Sequence, residues 1–148
     1  MTTTDPLWLL DVNVLMALAH PSHVHHGAAH AWFATVTAFA TTALTETGLL
    51  RLSMNPAVTG QQISPSAALG LLSAIRALPA HRSVSDGASL AAPAIISTPA
   101  GYKQVTDLHL VNLAATSDAV LVTFDSRLAN ALHPDDRRHV HVLSPVAP

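Results

Sequence analysis

Apolar residues recur along the chain in two rhythms, as short unbroken runs and at helical spacing. Leu7 to Leu10, LWLL between Pro6 and Asp11, predicts a buried strand, and Ala119 to Thr123, AVLVT, predicts another that ends just before Asp125. Ala38 to Thr42 and the alternating His139 to Leu143 predict two shorter strands. Between them, Asn13 to Ala19 reads as a short helix closed by His20-Pro21. Ser22 then predicts the cap of a second helix carrying His23, His26, His30, Trp32, Phe33 and Val36. Leu44 to Leu52 has helical period and stops at Met54-Asn55-Pro56, which places Glu46 in a first turn. Ser64-Pro65-Ser66 opens a further helix that runs to Leu78 and Pro79. Val105 to Ala115, with Thr106 as its cap and Asp107 in its first turn, and Ser126 to Leu132 complete the helices. Residues 80–101 carry the least pattern: an Asp86-Gly87 turn, an apolar stretch from Leu90 to Ile96 and a Pro99-Ala100-Gly101 loop, with room for a short strand and helix.

Strands alternating with helices predict an α/β fold, a mainly parallel sheet covered on both faces in three α/β/α layers. The length of 148 residues fits a single domain spanning 1–148. With 49% hydrophobic and 11% charged residues, a packed body is expected rather than a disordered chain. The absence of Cys excludes disulfides and thiolate metal sites. The first twenty residues have no basic segment ahead of their apolar run and carry Asp11 inside it, unlike a signal peptide, and no apolar stretch approaches the ~18 residues of a membrane span. A cytoplasmic protein without membrane contact is the expectation. A net charge of −2 excludes binding driven by a large basic surface.

Against this apolar background, four acids stand in costly places: Asp11 in LWLLDVNVLMAL, Glu46 in ALTETGLLRL, Asp107 in KQVTDLHLVNLA and Asp125 in AVLVTFDSRLA. Two follow strands and two begin helices. In a parallel sheet, strand carboxyl ends and the amino ends of the following helices open on one edge, so the four can share a rim. With seven Lys and Arg in the whole chain, a divalent cation is the better counter-charge, and oxygen-only ligands point to Mg²⁺, or Mn²⁺. Such a rim suits phosphodiester hydrolysis. Arg51 and Arg127, near Glu46 and Asp125, are candidates to contact a phosphate or to neutralise the acids.

LLDVNVLMAL, TTALTETGLLRL, VTDLHLVNLA and LVTFDSRL, in this order, resemble PIN-domain ribonucleases, and among them the VapC toxins of VapBC toxin–antitoxin pairs. The resemblance implies the three-layer fold, metal-dependent endonucleolytic cleavage of RNA, a homodimer and a cognate VapB-type antitoxin. It implies Asp11 and Asp107 as primary metal ligands and Glu46 and Asp125 as the acids that complete the site. Asn13 matches the family's polar residue beside the first Asp, and Thr123 the hydroxyl that orients that Asp or a water. Leu108-His109 departs from the small or aromatic residues of relatives, and His109 is expected to tune the pocket or pack.

Each acid alone could be a helix cap; jointly they favour the metal site. Asp86 and Asp118 read as turn and loop residues, and Asp135-Asp136 as a solvated pair. His23, His26 and His30, at helical spacing, could hold Zn²⁺ or Ni²⁺ but fit exposed polar positions better. Trp32 and Phe33 fit core or dimer contacts, and 4% aromatic content speaks against a base-stacking platform. The alternative to a nuclease is a non-catalytic metal-binding module that holds RNA or a partner protein.

Overall fold

The computed structural model describes residues 5–145. Five parallel strands form one sheet: β1 (Leu7–Leu10), β2 (Phe39–Thr41), β3 (His81–Ser83), β4 (Ala119–Thr123) and β5 (Val140–Val142), in the order β3-β2-β1-β4-β5. β1 and β4 are central and in register from Leu7 opposite Ala119 to Leu10 opposite Val122. These are the two strands whose apolar runs are clearest in the sequence, because both their faces are covered.

Adjacent residues feed opposite cores, as the two-residue period of a strand requires. Leu9, Ala40 and Leu121 pack with Leu108, Val111 and Leu128 on one face. Leu10, Phe39 and Val122 pack with Val14, Leu15 and Leu49 on the other. The first layer holds α6 (Val105–Thr116) and α7 (Ser126–Ala131); the second holds α1 (Val12–Ala19), α2 (His26–Phe33), α3 (Ala43–Ser53) and α5 (Pro65–Arg76). Trp32 and Phe33 are core contacts, edge-on to Trp8 and Phe39 at 5.8 and 5.0 Å between ring centroids. No helix is long and apolar enough to cross a membrane among the described residues.

Several local expectations are corrected. Ser22 caps nothing: α2 begins at His26, so His23 lies in the preceding turn and the three-histidine face does not form. His26 Nδ1 and His30 Nε2 instead lie 2.8 and 2.9 Å from the carbonyls of Ala17 and Leu18, groups that the end of α1 leaves unpaired. Thr106 sits inside α6, which is entered through a 3₁₀ turn, Tyr102–Gln104. Asn55 stops α3 by capping a further short helix, α4 (Pro56–Thr59). Residues 80–101 supply strand β3 and no helix. Their loop is tied down at a distance: Asn112 on α6 accepts from Ala94 N at 2.8 Å and donates to the Ser89 carbonyl.

Asp136 is buried, 2% exposed, not solvated. Its carboxylate accepts from the amides of Ile96 and Ser97 and from the Ser97 hydroxyl, the last at 2.5 Å. Asp86 does more than turn the chain: it accepts from Leu44 N at 3.0 Å, holding a free amide at the start of α3, and lies 3.5 Å from His109. His109 is accordingly a packing partner of the 84–101 loop.

Candidate metal centre

The strand order reverses direction between β1 and β4, and in open parallel sheets the crevice at the carboxyl end of such a switch point is where ligands bind. Asp11 follows β1 at that crevice and Asp125 follows β4. Asp11 N donates to Val122 O at 2.9 Å, which locks the two strand ends together.

Thr123, fully buried at the end of β4, organises the crevice. Its hydroxyl donates to Asp11 Oδ2 at 2.8 Å and accepts from Asn13 Nδ2 at 3.0 Å and from Asp125 N at 3.1 Å. Asn13 Oδ1 accepts from Phe124 N at 3.2 Å, closing the loop between α1 and the turn after β4. The sequence-based reading of Asn13 and Thr123 as supporting residues thus has a geometry: they fix where the two aspartates stand. Asp11 Oδ1 accepts from Val12 N at 2.7 Å as the cap of α1, and Asp125 Oδ1 accepts from Arg127 N at 3.0 Å and Nε at 3.3 Å.

Burial is the main cause that raises the pKa of Asp11; the bonds from Thr123 and Val12 oppose it, and the charge of Asp125 adds to it. Asp107, in the first turn of α6, is also raised, by burial first and then by Asp11 and Asp125. Among the described residues no hydrogen bond reaches Asp107 to offset this. Asp11 and Asp125 thus act on Asp107 as like charges and Asp125 acts so on Asp11, while Arg127 stands 3.3 Å from Asp125.

Two cavities meet at Asp107. One of about 310 Å³ is lined by Asp11, Asp107, Gly48 and Arg51, and one of about 330 Å³ by Asp107, Asp125, Arg127 and Lys103. Both arginines singled out from the sequence thus face the acidic crevice, and Lys103, which sequence reasoning passed over, joins them. A Cβ at Gly48 would lie 2.8 Å from Val12 Cγ2, so α1 and α3 approach closely just beside Asp11.

Glu46 is placed differently. Its Oε2 accepts from Thr41 Oγ1 and from Arg76 Nη1, both at 2.6 Å, and Thr41 Oγ1 is 2.7 Å from His81 Nε2. Arg76 comes from the end of α5, thirty residues away, and no local pattern announces the pair. Among the described residues nothing hydrogen-bonds to Oε1 of Glu46, and its side chain is 15% exposed.

Among the described residues no three His, Cys, Asp or Glu side chains converge tightly enough to cage an ion. One or two carboxylates plus water is the coordination that suits Mg²⁺, and hard oxygen donors that repel one another are its natural host. The residues present fit such an ion.

A PIN domain model matches residues 8–132. The chain is 44% identical over 123 residues to Ribonuclease VapC38 of Mycobacterium tuberculosis, covering 80% of this chain and 84% of the relative. It is 41% identical over 127 residues to Ribonuclease VapC39 of the same organism, covering 83% and 91%. The crystal structure of VapBC2 from Rickettsia felis bound to a DNA fragment from their promoter shares the fold, with a TM-score of 0.57 at 12% identity over 93% of this chain and 99% of that one. The chain belongs to the PIN-domain family, in its VapC branch.

Proposed function

We propose that the protein is the toxin component of a toxin–antitoxin pair, a Mg²⁺- or Mn²⁺-dependent endoribonuclease. The observation that carries this reading is the like-charge crowding of Asp107 by Asp11 and Asp125 at the switch point of the sheet, a charge arrangement that a divalent cation would relieve. Asp11 and Asp107 would hold the ion, with Asp125 and Glu46 completing the site. Such an ion supplies charge neutralisation and a lowered pKa for water. Asp11 is oriented for its role by Thr123 and Val12, and Asp125 by Arg127. Thr41 and Arg76 pin one oxygen of Glu46, and the other would be left to a water. Arg51, Arg127 and Lys103 line the same cavities and would take the phosphates on either side of the scissile bond.

The partner reading rests on a second surface. An apolar cavity of about 260 Å³ opens between α1, α2 and α5, lined by Leu15, Leu18, Phe33, Leu71, Ile75 and Leu78, and would accept an apolar helix of a VapB-type antitoxin. The protein acts as a homodimer in this reading, which sedimentation of the free toxin tests.

The test of the activity is incubation of total cellular RNA with purified protein in Mg²⁺, Mn²⁺ or EDTA, beside Asp11→Asn, with fragment ends mapped. Discrete metal-dependent cuts lost in the variant are expected. Cuts that persist in Asp11→Asn would remove the site assignment, and no cuts with any metal would favour the non-catalytic binding module.

A further inference from the structure

Six aromatic side chains serve the whole chain, and five of them are engaged. Trp8, Trp32, Phe33 and Phe39 pack on one another, and Phe124 lies under the His25 ring, stacked at 4.5 Å. Tyr102 is the exception, 84% exposed. It stands at the start of the 3₁₀ turn that feeds α6, five residues before Asp107. Its neighbour Lys103 lines the cavity of Asp107, Asp125 and Arg127, with Nζ 5.9 Å from the Tyr102 ring centroid. An open aromatic face and a cation thus stand together at the mouth of the acidic cleft.

We propose that Tyr102 and Lys103 form a subsite for an unpaired RNA strand, Tyr102 stacking on a base and Lys103 pairing with the phosphate beside it. A duplex keeps its base faces covered by its own stacking, so only a loop, bulge or free end offers a face to Tyr102. The position favours RNA over a protein partner because Lys103 and Arg127 stand among the mixed polar and apolar residues that line the adjoining cavity, two cations for the phosphates of a strand whose base meets Tyr102. This subsite rests on the ribonuclease reading above and refines it.

The experiment is fluorescence anisotropy in Mg²⁺ with a labelled single-stranded RNA of about 12 nucleotides and mixed sequence, a length within the site sizes of single-strand binders. Asp11→Asn serves as the parent so that the probe stays whole, and Tyr102→Ala and Tyr102→Phe are compared in that background. Tyr102→Ala should weaken binding roughly tenfold or more, Tyr102→Phe should hold it within about twofold, and the same sequence as duplex should bind more weakly. Equal affinity of the Ala variant, no binding of the single strand by the parent, or loss of self-association in Tyr102→Ala by sedimentation would each overturn the proposal. Cleavage of total RNA by the wild-type protein, run alongside, separates the two readings: cutting with unchanged binding in Tyr102→Ala removes the subsite alone, whereas no cutting with any metal removes the ribonuclease reading.

Discussion

Asp11 and Asp136 are both buried aspartates, and the fold treats them in opposite ways. Burial pushes both pKa values up. At Asp136 the Ser97 hydroxyl, the Ser97 and Ile96 amides and the charge of His139 outweigh it and bring the group below its ordinary value. At Asp11 two bonds do not suffice, and Asp125 adds repulsion. A carboxylate surrounded by donors holds structure together, whereas one crowded by other carboxylates at a sheet's carboxyl edge is left with a repulsion that a cation would relieve. Burial alone does not separate the two. The count of donors and like-charged neighbours does.

The largest effect that tests this contrast is on activity. Asp11→Asn keeps the shape of the side chain and should lower RNA cleavage by roughly two orders of magnitude or more, with the melting temperature near that of the wild type. Asp136→Ala should do the reverse. Removing it leaves two part-buried amides and a hydroxyl without their acceptor, a loss of about 2 kcal/mol in urea unfolding, while cleavage well below the melting temperature continues. Because its folded pKa lies below the unfolded one, the stabilisation from Asp136 is present above the ordinary carboxylate range and fades as pH falls through the folded value. The variant should therefore lose part of the acid-side slope of stability against pH. A full acid slope in Asp136→Ala would show that other carboxylates carry it.

The same contrast explains what the sequence made legible. Asp11, Asn13, Thr123 and Asp125 sit at the ends of LWLL and AVLVT, runs apolar on both faces, so strand, edge and candidate chemistry could be read together. β3 could not be read. His81–Ser83 is a three-residue polar edge strand with two of its residues exposed, and it lacks the apolar signature that burial imposes on β1 and β4. Asp136 reads as a surface pair with Asp135 because its partners lie 39 and 40 residues upstream, in a loop without regular structure. Glu46 falls in a first turn, as its pattern predicts, yet its bond to Arg76 joins two helices whose relative position only the packed fold sets. Local pattern reveals where a charge is costly; long-range bonds decide what relieves it.

Gly48→Ala probes how tightly the crevice is set. The added methyl favours helix α3 by about 1 kcal/mol but must push aside Val12, a β-branched side chain with little freedom to yield, at a cost of about 1 to 3 kcal/mol. A net loss of about 1 kcal/mol is expected, together with a drop in cleavage, since Val12 carries the amide that fixes Asp11. Unchanged stability and activity would mean that α1 and α3 separate freely.

The smallest effect bears most directly on like-charge crowding. Asp107 has a folded pKa above its unfolded value, so in metal-free protein its contribution turns unfavourable as pH rises through the ordinary carboxylate range and is fully unfavourable above the folded value. Asp107→Asn removes that charge without orphaning a donor. In EDTA at pH 7 the variant should melt above the wild type, by less than about 1 kcal/mol because the half-buried site is screened by solvent. The gap should close as pH falls through the ordinary carboxylate range, where folded and unfolded wild type both take up the proton. Adding Mn²⁺ should reverse the order, since the ion stabilises the wild type and finds one ligand fewer in the variant. Thermal melts from pH 4 to 8 with and without Mn²⁺ read all three; a variant that melts below the wild type in EDTA would show that Asp107 is held by favourable contacts, as Asp136 is, and not by repulsion awaiting a cation.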